Sequence, residues 1–267
     1  MVYFVATPIG NMLDISYRAV ETLKSVDVIA CEDTRHSLKL LDHYGIKKQL
    51  ISYHKFNENS SAQYIVDLVK SGKNVAVISD AGMPVISDPG NILVKVLIEN
   101  DLEYTVIPGA SACLSALLLS GLYSSRFTFV GFLPEKAKDR AELLKSYASA
   151  KETLIFYSAP HDVNDYIKDL YSAFGSRNAC AVKEITKMHE SVYRFNLDGG
   201  KIEEPKGEFV ILVEGNTCKS KEYGESEIIE MLNSFILDGL SKKDAIKKVC
   251  ETLNVSKNEV YKYSLKI

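Results

Sequence analysis

From residue 1 to about 110 the chain alternates short apolar, β-branched runs with amphipathic stretches, and no other feature limits its fold so tightly. The strand-like runs are VYFVA (2–6), VDVIA (26–30), QLIS (49–52), NVAVIS (74–79) and YTVI (104–107). Between them Ile15, Ala19 and Leu23 recur at helical spacing, as do Ala62, Ile65, Leu68 and Val69. Strands separated by amphipathic helices have few stable arrangements, and the usual one is a mostly parallel sheet covered by helices on both faces. Such a sheet binds ligands in the crevice outside the carboxyl ends of its strands. The irregular loops of this sequence all fall there: ATPIGN (6–11), CEDTR (31–35), ISDAGMPVISDPG (78–90) and PGASA (108–112).

After SALLLSGLYSSR (115–126) the pattern changes. Strands are expected at 127–131, 153–157, 178–183, 191–197 and 208–213, with helices only near 137–149 and 161–173. Fewer crossovers between strands imply a mixed sheet. The last 50 residues read as helical. Ser241 with Asp244, and Ser256 with Glu259, have capping-box spacing. Ala245, Ile246, Val249 and Leu253 make an apolar stripe, and Asn254 breaks the pattern. The expected organisation is an N-terminal α/β domain (1–115), a second α/β domain (116–220) that completes a cleft, and a helical extension (221–267).

Charge narrows the partners. The net charge of -3, with 46% hydrophobic and 25% charged residues, gives a globular chain no global attraction to nucleic acid or membrane. From 241 onward, however, seven Lys (242, 243, 247, 248, 257, 262, 266) face three acids (244, 251, 259), a local balance of +4. The five cysteines (31, 113, 180, 218, 250) are scattered, odd in number and without C-x-x-C, as expected of free thiols in a reducing cytoplasm. No apolar run approaches a membrane span, and MVYFVATPIGN has no basic segment ahead of its apolar run, so neither signal peptide nor membrane association is expected. The five histidines (36, 43, 54, 161, 189) have no spacing that suggests a metal site, although His54 and Asn57 follow the third strand and so fall at the crevice.

The loops offer chemistry with alternatives. ISDAG (78–82) returns as ISDPG (86–90), which packs two Pro, two Gly and two Asp into thirteen residues. Asp88-Pro89 reads as an N-cap followed by Pro at the first helical position, opening the helix NILVKVLIEN. Asp80, Ala81 and Gly82 instead leave the fourth strand where a ligand would lie, in a loop stiffened by Pro84. ATPIGN is not G-x-G-x-x-G, and no G-K-[ST] or G-x-S-x-G occurs, which argues against dinucleotide enzymes, P-loop NTPases and serine hydrolases. In CEDTR an acid has the place of a ribose-binding carboxylate, while Asp33 or Thr34 equally suits a helix cap. PGASA reads either as a turn capped by Ser111 or as a small-residue ligand wall. GFLPEKAKDR (131–140) and KEITKMHE (183–190) mix charges as a solvated face does.

VATPIGNMLDISYRAVETL, CEDTRHSLKLL, VISDAGMPVISDPG, PGASACLSALLLSGL and FTFVGFLPEKAKDR, in this order and spacing, resemble the ribosomal RNA small subunit methyltransferase I family within the tetrapyrrole (corrin/porphyrin) methylase superfamily. The resemblance covers nearly the whole chain from residue 2. It departs mildly at Ala6, Met12, Cys31 and Lys183, where Gly, Leu, Ala and Arg are usual. It departs more at Ser158 and Asp162, where Glu and Arg are usual, which bears on RNA contact rather than on the cofactor loops. The resemblance implies a two-domain α/β homodimer that binds S-adenosylmethionine between its domains. It further implies methylation of the ribose 2′-oxygen of a cytidine in the decoding region of small-subunit rRNA, naked or in an assembled subunit. Carried over by position, the cofactor would touch Pro8, Ile9 and Gly10; Asp80, Ala81, Gly82 and Met83; Ser111 and Ala112; and Tyr157 and Val213.

A 2′-hydroxyl needs a base or an alkoxide-stabilising cation. Glu32, Asp33, Arg35, Lys183, Glu184 and Lys187 are the candidates, with interdomain salt bridges as their other reading. The lysine-rich extension would hold phosphate backbone without reading sequence. The rival readings are a tetrapyrrole C-methyltransferase, which usually carries G-x-G-P-G in the first loop, a diphthine-type protein methyltransferase, and a non-catalytic RNA-binding homologue.

Overall fold

In a computed structural model of the chain, which describes residues 1–217, 224–253, 255 and 257–267, all five expected N-terminal strands join one parallel sheet. They are β1 (Val2–Val5), β2 (Val28–Cys31), β3 (Gln49–Ser52), β4 (Val75–Ile78) and β5 (Tyr104–Ile107), in the order β3-β2-β4-β1-β5. Period-two alternation sorts their side chains. Phe4, Val28, Ala30, Val75 and Val77 pack against α3 (Glu58–Lys70) and α4 (Asn91–Glu99). Their neighbours Val5, Ile29, Cys31, Ala76 and Ile78 pack against α1 (Tyr17–Ser25) and α2 (Thr34–His43). Strands β1 and β4 therefore lie side by side while α1 and α4, which follow them, cover opposite faces. Their loops part at that point and open a crevice.

Helix α5 (Ala112–Ser120) leads into a mixed sheet of β6 (Phe127–Phe132), β7 (Thr153–Ser158), β8 (Asn178–Lys183), β9 (Ser191–Asn196) and β10 (Phe209–Val213), ordered β6-β7-β10-β8-β9. Only β6 and β7 run parallel; the other pairs are antiparallel. One face of this sheet is covered by α6 (Ala137–Ser146) and α7 (Val163–Phe174), through Leu144, Val163, Ile167 and Leu170. The other face meets Cys113, Ala116 and Leu117 of α5. The expected α/β class, with a parallel first sheet and a mixed second one, is thus observed.

Residues Met1–Asn216 form one compact unit and Thr217–Ile267 another. In the second, α8 (Glu225–Leu237), α9 (Lys242–Leu253) and α10 (Lys257–Ser264) close on Ile228, Leu232, Ala245, Val249 and Val260. Ser241 caps α9 as expected, its Oγ accepting the Asp244 amide at 3.2 Å. All seven lysines of the basic stretch are exposed. Cys218, Asn254, Ser256 and the Glu259 side chain lie outside the described residues. No helix among the described residues is long and apolar enough to cross a membrane.

One local expectation fails. Helix α4 begins at Asn91, not at Pro89, and its N-cap is Gly90, whose φ is 148°. The Asp88 side chain does not cap it. The Gly90 and Ile92 amides donate instead to Glu58 Oε1 of α3, at 2.8 and 3.3 Å. A full carboxylate from the neighbouring helix satisfies both orphan donors, and Asp88 is left free to point elsewhere.

Candidate functional site

The crevice is built by mutual support of the loops after β1 and β4. The Thr7 amide donates to Gly82 O at 2.9 Å and the Gly82 amide returns the bond to Thr7 O at 3.2 Å. The buried Thr7 hydroxyl donates to Ser79 O at 3.2 Å. This knits ATPIGN to SDAG and presents Pro8, Ile9, Gly10 and Ala81 on one wall. Asp80 stands beside β2, its Oδ1 accepting the Asp33 amide at 3.3 Å.

Two adjoining clefts result. The larger, about 440 Å³, is lined on the side of the first sheet by Ile9, Ala81, Gly82, Met83, Ser111 and Ala112. Phe132, Tyr157, Ser158 and Phe209 face them from the second sheet. Its walls are largely apolar, and the Tyr157 ring is held edge-on to Phe129 and Phe132 at 4.9 and 5.5 Å. The smaller cleft, about 400 Å³, is more polar, with Thr7, Pro8, Gly10, His36 and Asp80. The two share Ile9, Ala81, Lys187 and Glu208.

Lys187 marks the junction. Its ammonium donates to Glu184 Oε1 and to Glu208 Oε2, both at 2.9 Å. Burial alone would raise the Glu184 pKa, but the Glu208 amide and the Lys187 ammonium hold it below the ordinary carboxylate value. The same pair of carboxylates raises Lys187 against its own burial, so it stays protonated. Glu184 and Thr186 hold left-handed backbone, with φ of 51° and 66°, and so turn the chain to bring Lys187 over Gly10.

The expected cofactor residues therefore gather around the two clefts, with one exception. Val213 lies in the core beside Leu154 and Ala179, at the far end of β10 from Phe209 and Val210, which do line the larger cleft. Of the catalytic candidates, only Lys187 lines a cleft. Glu184 reaches the site through Lys187. Asp33 is the N-cap of α2, its Oδ1 accepting the Arg35 amide at 2.8 Å. Its carboxylate also pairs with the exposed Arg35 guanidinium at 3.2 Å, which lowers the Asp33 pKa. Lys183 ends β8 outside both clefts. Glu32 sits behind the wall, its pKa raised by burial and then by Asp80, and lowered by His54. His54 Nδ1 is buried without a hydrogen-bond partner.

Two acidic site residues escaped the sequence reading. Asp88 lines the larger cleft, and burial, then Glu32 and Asp80, push its pKa up to about 7, with Ser79 acting in the opposite sense. Its signal was present in the repeated ISD, but an Asp-Pro pair ahead of a helix is also a strong cap pattern. Glu208 had no signal beyond a charge ahead of an apolar strand. Around PEKAKDR, Arg140 bonds Asp169 at 2.5 Å and the Pro134 and Glu135 carbonyls at 3.0 Å, a structural role. Ser158 is buried, and Asp162 pairs with His161 at 3.3 Å. Among the described residues no cluster of His, Cys, Asp and Glu could hold a metal ion.

Residues 1–199 match the Tetrapyrrole (Corrin/Porphyrin) Methylases family. The chain is 40% identical over 273 residues to "Ribosomal RNA small subunit methyltransferase I" of Synechocystis sp., an alignment that covers 100% of this chain and 98% of the relative. With the protein of the same name from Haemophilus influenzae the identity is 42% over 276 residues, covering 99% and 96%. Among solved structures, diphthine synthase superposes with a TM-score of 0.65 at 15% identity, covering 81% of this chain and 90% of that one. Uroporphyrin-III-C-methyltransferase from Thermus thermophilus gives 0.58 at 15%, covering 80% and 93%. These two likenesses carry the fold alone.

Proposed function

Because the chain belongs to the ribosomal RNA small subunit methyltransferase I family, within the tetrapyrrole methylases, we propose that it methylates the ribose 2′-oxygen of a cytidine in the decoding region of small-subunit rRNA, in the cytoplasm. Methyltransferases of this family use S-adenosylmethionine. The larger cleft fits that molecule: its volume is that of a small-ligand site, its walls are apolar around Met83, Ala112 and Tyr157, and Asp88 offers a carboxyl for a cation. Bound there, S-adenosylmethionine supplies a methyl group already made electrophilic by its sulfonium.

The observation that carries the reading is Lys187, shared by both clefts and clamped at 2.9 Å by Glu184 and Glu208. A ribose in the smaller cleft would present its hydroxyl at this junction. The Lys187 ammonium then stabilises negative charge that develops on the hydroxyl oxygen. The Glu208 carboxylate, 81% exposed in its side chain, takes the hydroxyl proton on Oε2 and passes it to water. Glu184 holds the ammonium in place and keeps it charged. Glu32 and Asp80 shape the field at the cleft floor, while Asp33, Arg35 and Lys183 are left for the RNA around the opening.

Charge and stacking on the surface suit a large anionic partner. Tyr17 and Phe56, 95% and 94% exposed, follow β1 and β3 on the carboxyl-end side and offer flat faces to unstacked bases. The seven exposed lysines of the helical extension supply phosphate contacts. Exposed Leu114 and Leu118 on α5, with Val106 on the edge strand β5, suit the interface of a homodimer.

The test incubates the protein with labelled S-adenosylmethionine and small subunits from cells lacking the modification, followed by nuclease digestion and mass spectrometry. A 2′-O-methylcytidine in the decoding region is expected. Lys187→Met should slow its formation by about 100-fold while donor affinity stays within about twofold. Donor binding without label on RNA would refute the acceptor and turn attention to tetrapyrroles.

A further inference from the structure

The loop that carries Asp88 is held in an unfavourable backbone. Val85 and Ser87 have φ of 75° and 68°, a left-handed region that a β-branched residue rarely enters. Such backbone persists where its surroundings impose it, and it concentrates at ligand sites. Here it aims the second ISD repeat at the larger cleft: Ile86, Ser87 and Asp88 all line it.

The surroundings of that carboxyl are unusual in charge. Glu32 reaches it from the end of β2 and Asp80 from the end of β4. Ser79 beside it acts in the opposite sense, and the Tyr157 hydroxyl feels it from β7. Among the described residues, none of Glu32, Asp80 and Asp88 forms an ion pair. The Lys187 ammonium on the same cleft is committed to Glu184 and Glu208. His54 acts on Glu32, whose pKa it lowers. Three carboxyls thus act on one another with no ion pair among the described residues, and with burial this raises the Asp88 pKa to about 7.

We infer that the Asp88 carboxyl is the group by which the larger cleft distinguishes the cationic methyl donor from its demethylated product, and that donor binding drives a proton off it. The inference rests on the larger cleft being the S-adenosylmethionine site. The donor carries a fixed positive charge on sulfur, whereas S-adenosylhomocysteine has a neutral thioether there. A positive ligand favours the ionised carboxylate, and a neutral one gives no such return for burying the charge. The residue would therefore act in recognition and product release and take no part in the bond changes.

The test is calorimetric titration of the full chain with S-adenosylmethionine and, separately, S-adenosylhomocysteine at pH 6, 7 and 8, in two buffers of different ionisation enthalpy. Wild type should release about half a proton from Asp88 per donor bound at pH 7, and donor affinity should rise up to about tenfold from pH 6 to 8. The product should show neither effect at this carboxyl. Asp88→Asn should remove both effects and cut the preference for donor over product about tenfold. The ligand's own amine contributes equally in the two proteins, so the difference between them isolates Asp88. Proton release that persists in Asp88→Asn, or equal loss of affinity for both ligands, overturns the inference. A wild type that binds neither ligand removes the cofactor reading itself, and the inference falls with it. The wild-type proton count needs no variant, so a folding defect in Asp88→Asn does not shelter the inference.

Discussion

SDAG (79–82) and SDPG (87–90) differ in one residue and end in opposite physical states. In the first, the backbone is bonded in both directions to Thr7, and Asp80 accepts a bond from Asp33. In the second, Ser87 is left-handed, the Asp caps nothing, and the helix start it was expected to serve is held by Glu58 from another helix. Identical side chains take their roles from what surrounds them: the first copy is a bonded wall, and the second is a strained bracket that exposes a titratable group to a cleft. The glycines differ too. A Cβ on Gly82 would come 3.2 Å from Ile9 Cγ2, whereas one on Gly90 would fall 2.5 Å from Val85 Cγ2.

The largest expected contrast follows from those distances. Gly90→Ala has to adopt a φ of 148° and displace Val85, so it should cost about 3 kcal/mol in urea denaturation. Gly82→Ala, with φ of 81° and a neighbour that can give way, should cost about 1 kcal/mol. It should also weaken donor binding, because Ile9 moves into the cleft. Equal losses in the two variants would show that the second loop relaxes freely and is not a bracket.

These differences explain what could be read from the chain alone. The first sheet was legible because the runs 2–6 and 74–79 are apolar on both faces, and because Ala19 and Leu23 mark a helix face without competition from other patterns. The cleft walls were legible from loop placement at strand ends, since that follows from the parallel topology. Asp88 was not, because its fate turned on Glu58, thirty residues away, reaching the α4 amides first. Val213 went the other way: a residue placed by family position proved to sit in the core, while Phe209 and Val210 of the same strand line the cleft. Lys187 and Glu208 met only because β8 and β10 pair in antiparallel register, which single-strand patterns do not encode.

The carboxyls sharpen the contrast at intermediate size. The folded-state pKa of Asp88 is raised to about 7, so between its unfolded value and pH 7 the native state holds the extra proton. Wild-type stability should therefore fall as pH rises through that window, and Asp88→Asn should lack this component. At pH 8 the variant should be more stable than wild type by about 1 kcal/mol, the linkage being discounted for the carboxyl's partial exposure. Asp80→Asn keeps an oxygen for the Asp33 amide but deletes a neighbouring charge. Carbon-detected NMR should then show the Asp88 midpoint moving down without reaching an ordinary carboxylate value, because burial, the largest cause, remains. An unmoved midpoint would separate the two copies electrically and weaken the picture of converging carboxyls.

The smallest contrast lies in the paired serines. Ser79 is buried and its Oγ donates to Gly82 O at 3.3 Å, so Ser79→Ala should cost about 1 kcal/mol. Ser87 is exposed, with a φ of 68° that an L-residue resists. Glycine there relieves about 1 kcal/mol of backbone strain, and roughly half is returned to the greater freedom of the unfolded chain. Ser87→Gly should therefore stabilise the protein by about 0.5 kcal/mol. In donor titrations the same variant should bind less tightly, since a relaxed loop no longer holds Asp88 against the cleft. Gain in stability with loss of affinity is what a strained bracket requires; a variant that loses both would mean that the left-handed turn is stabilised by the serine itself.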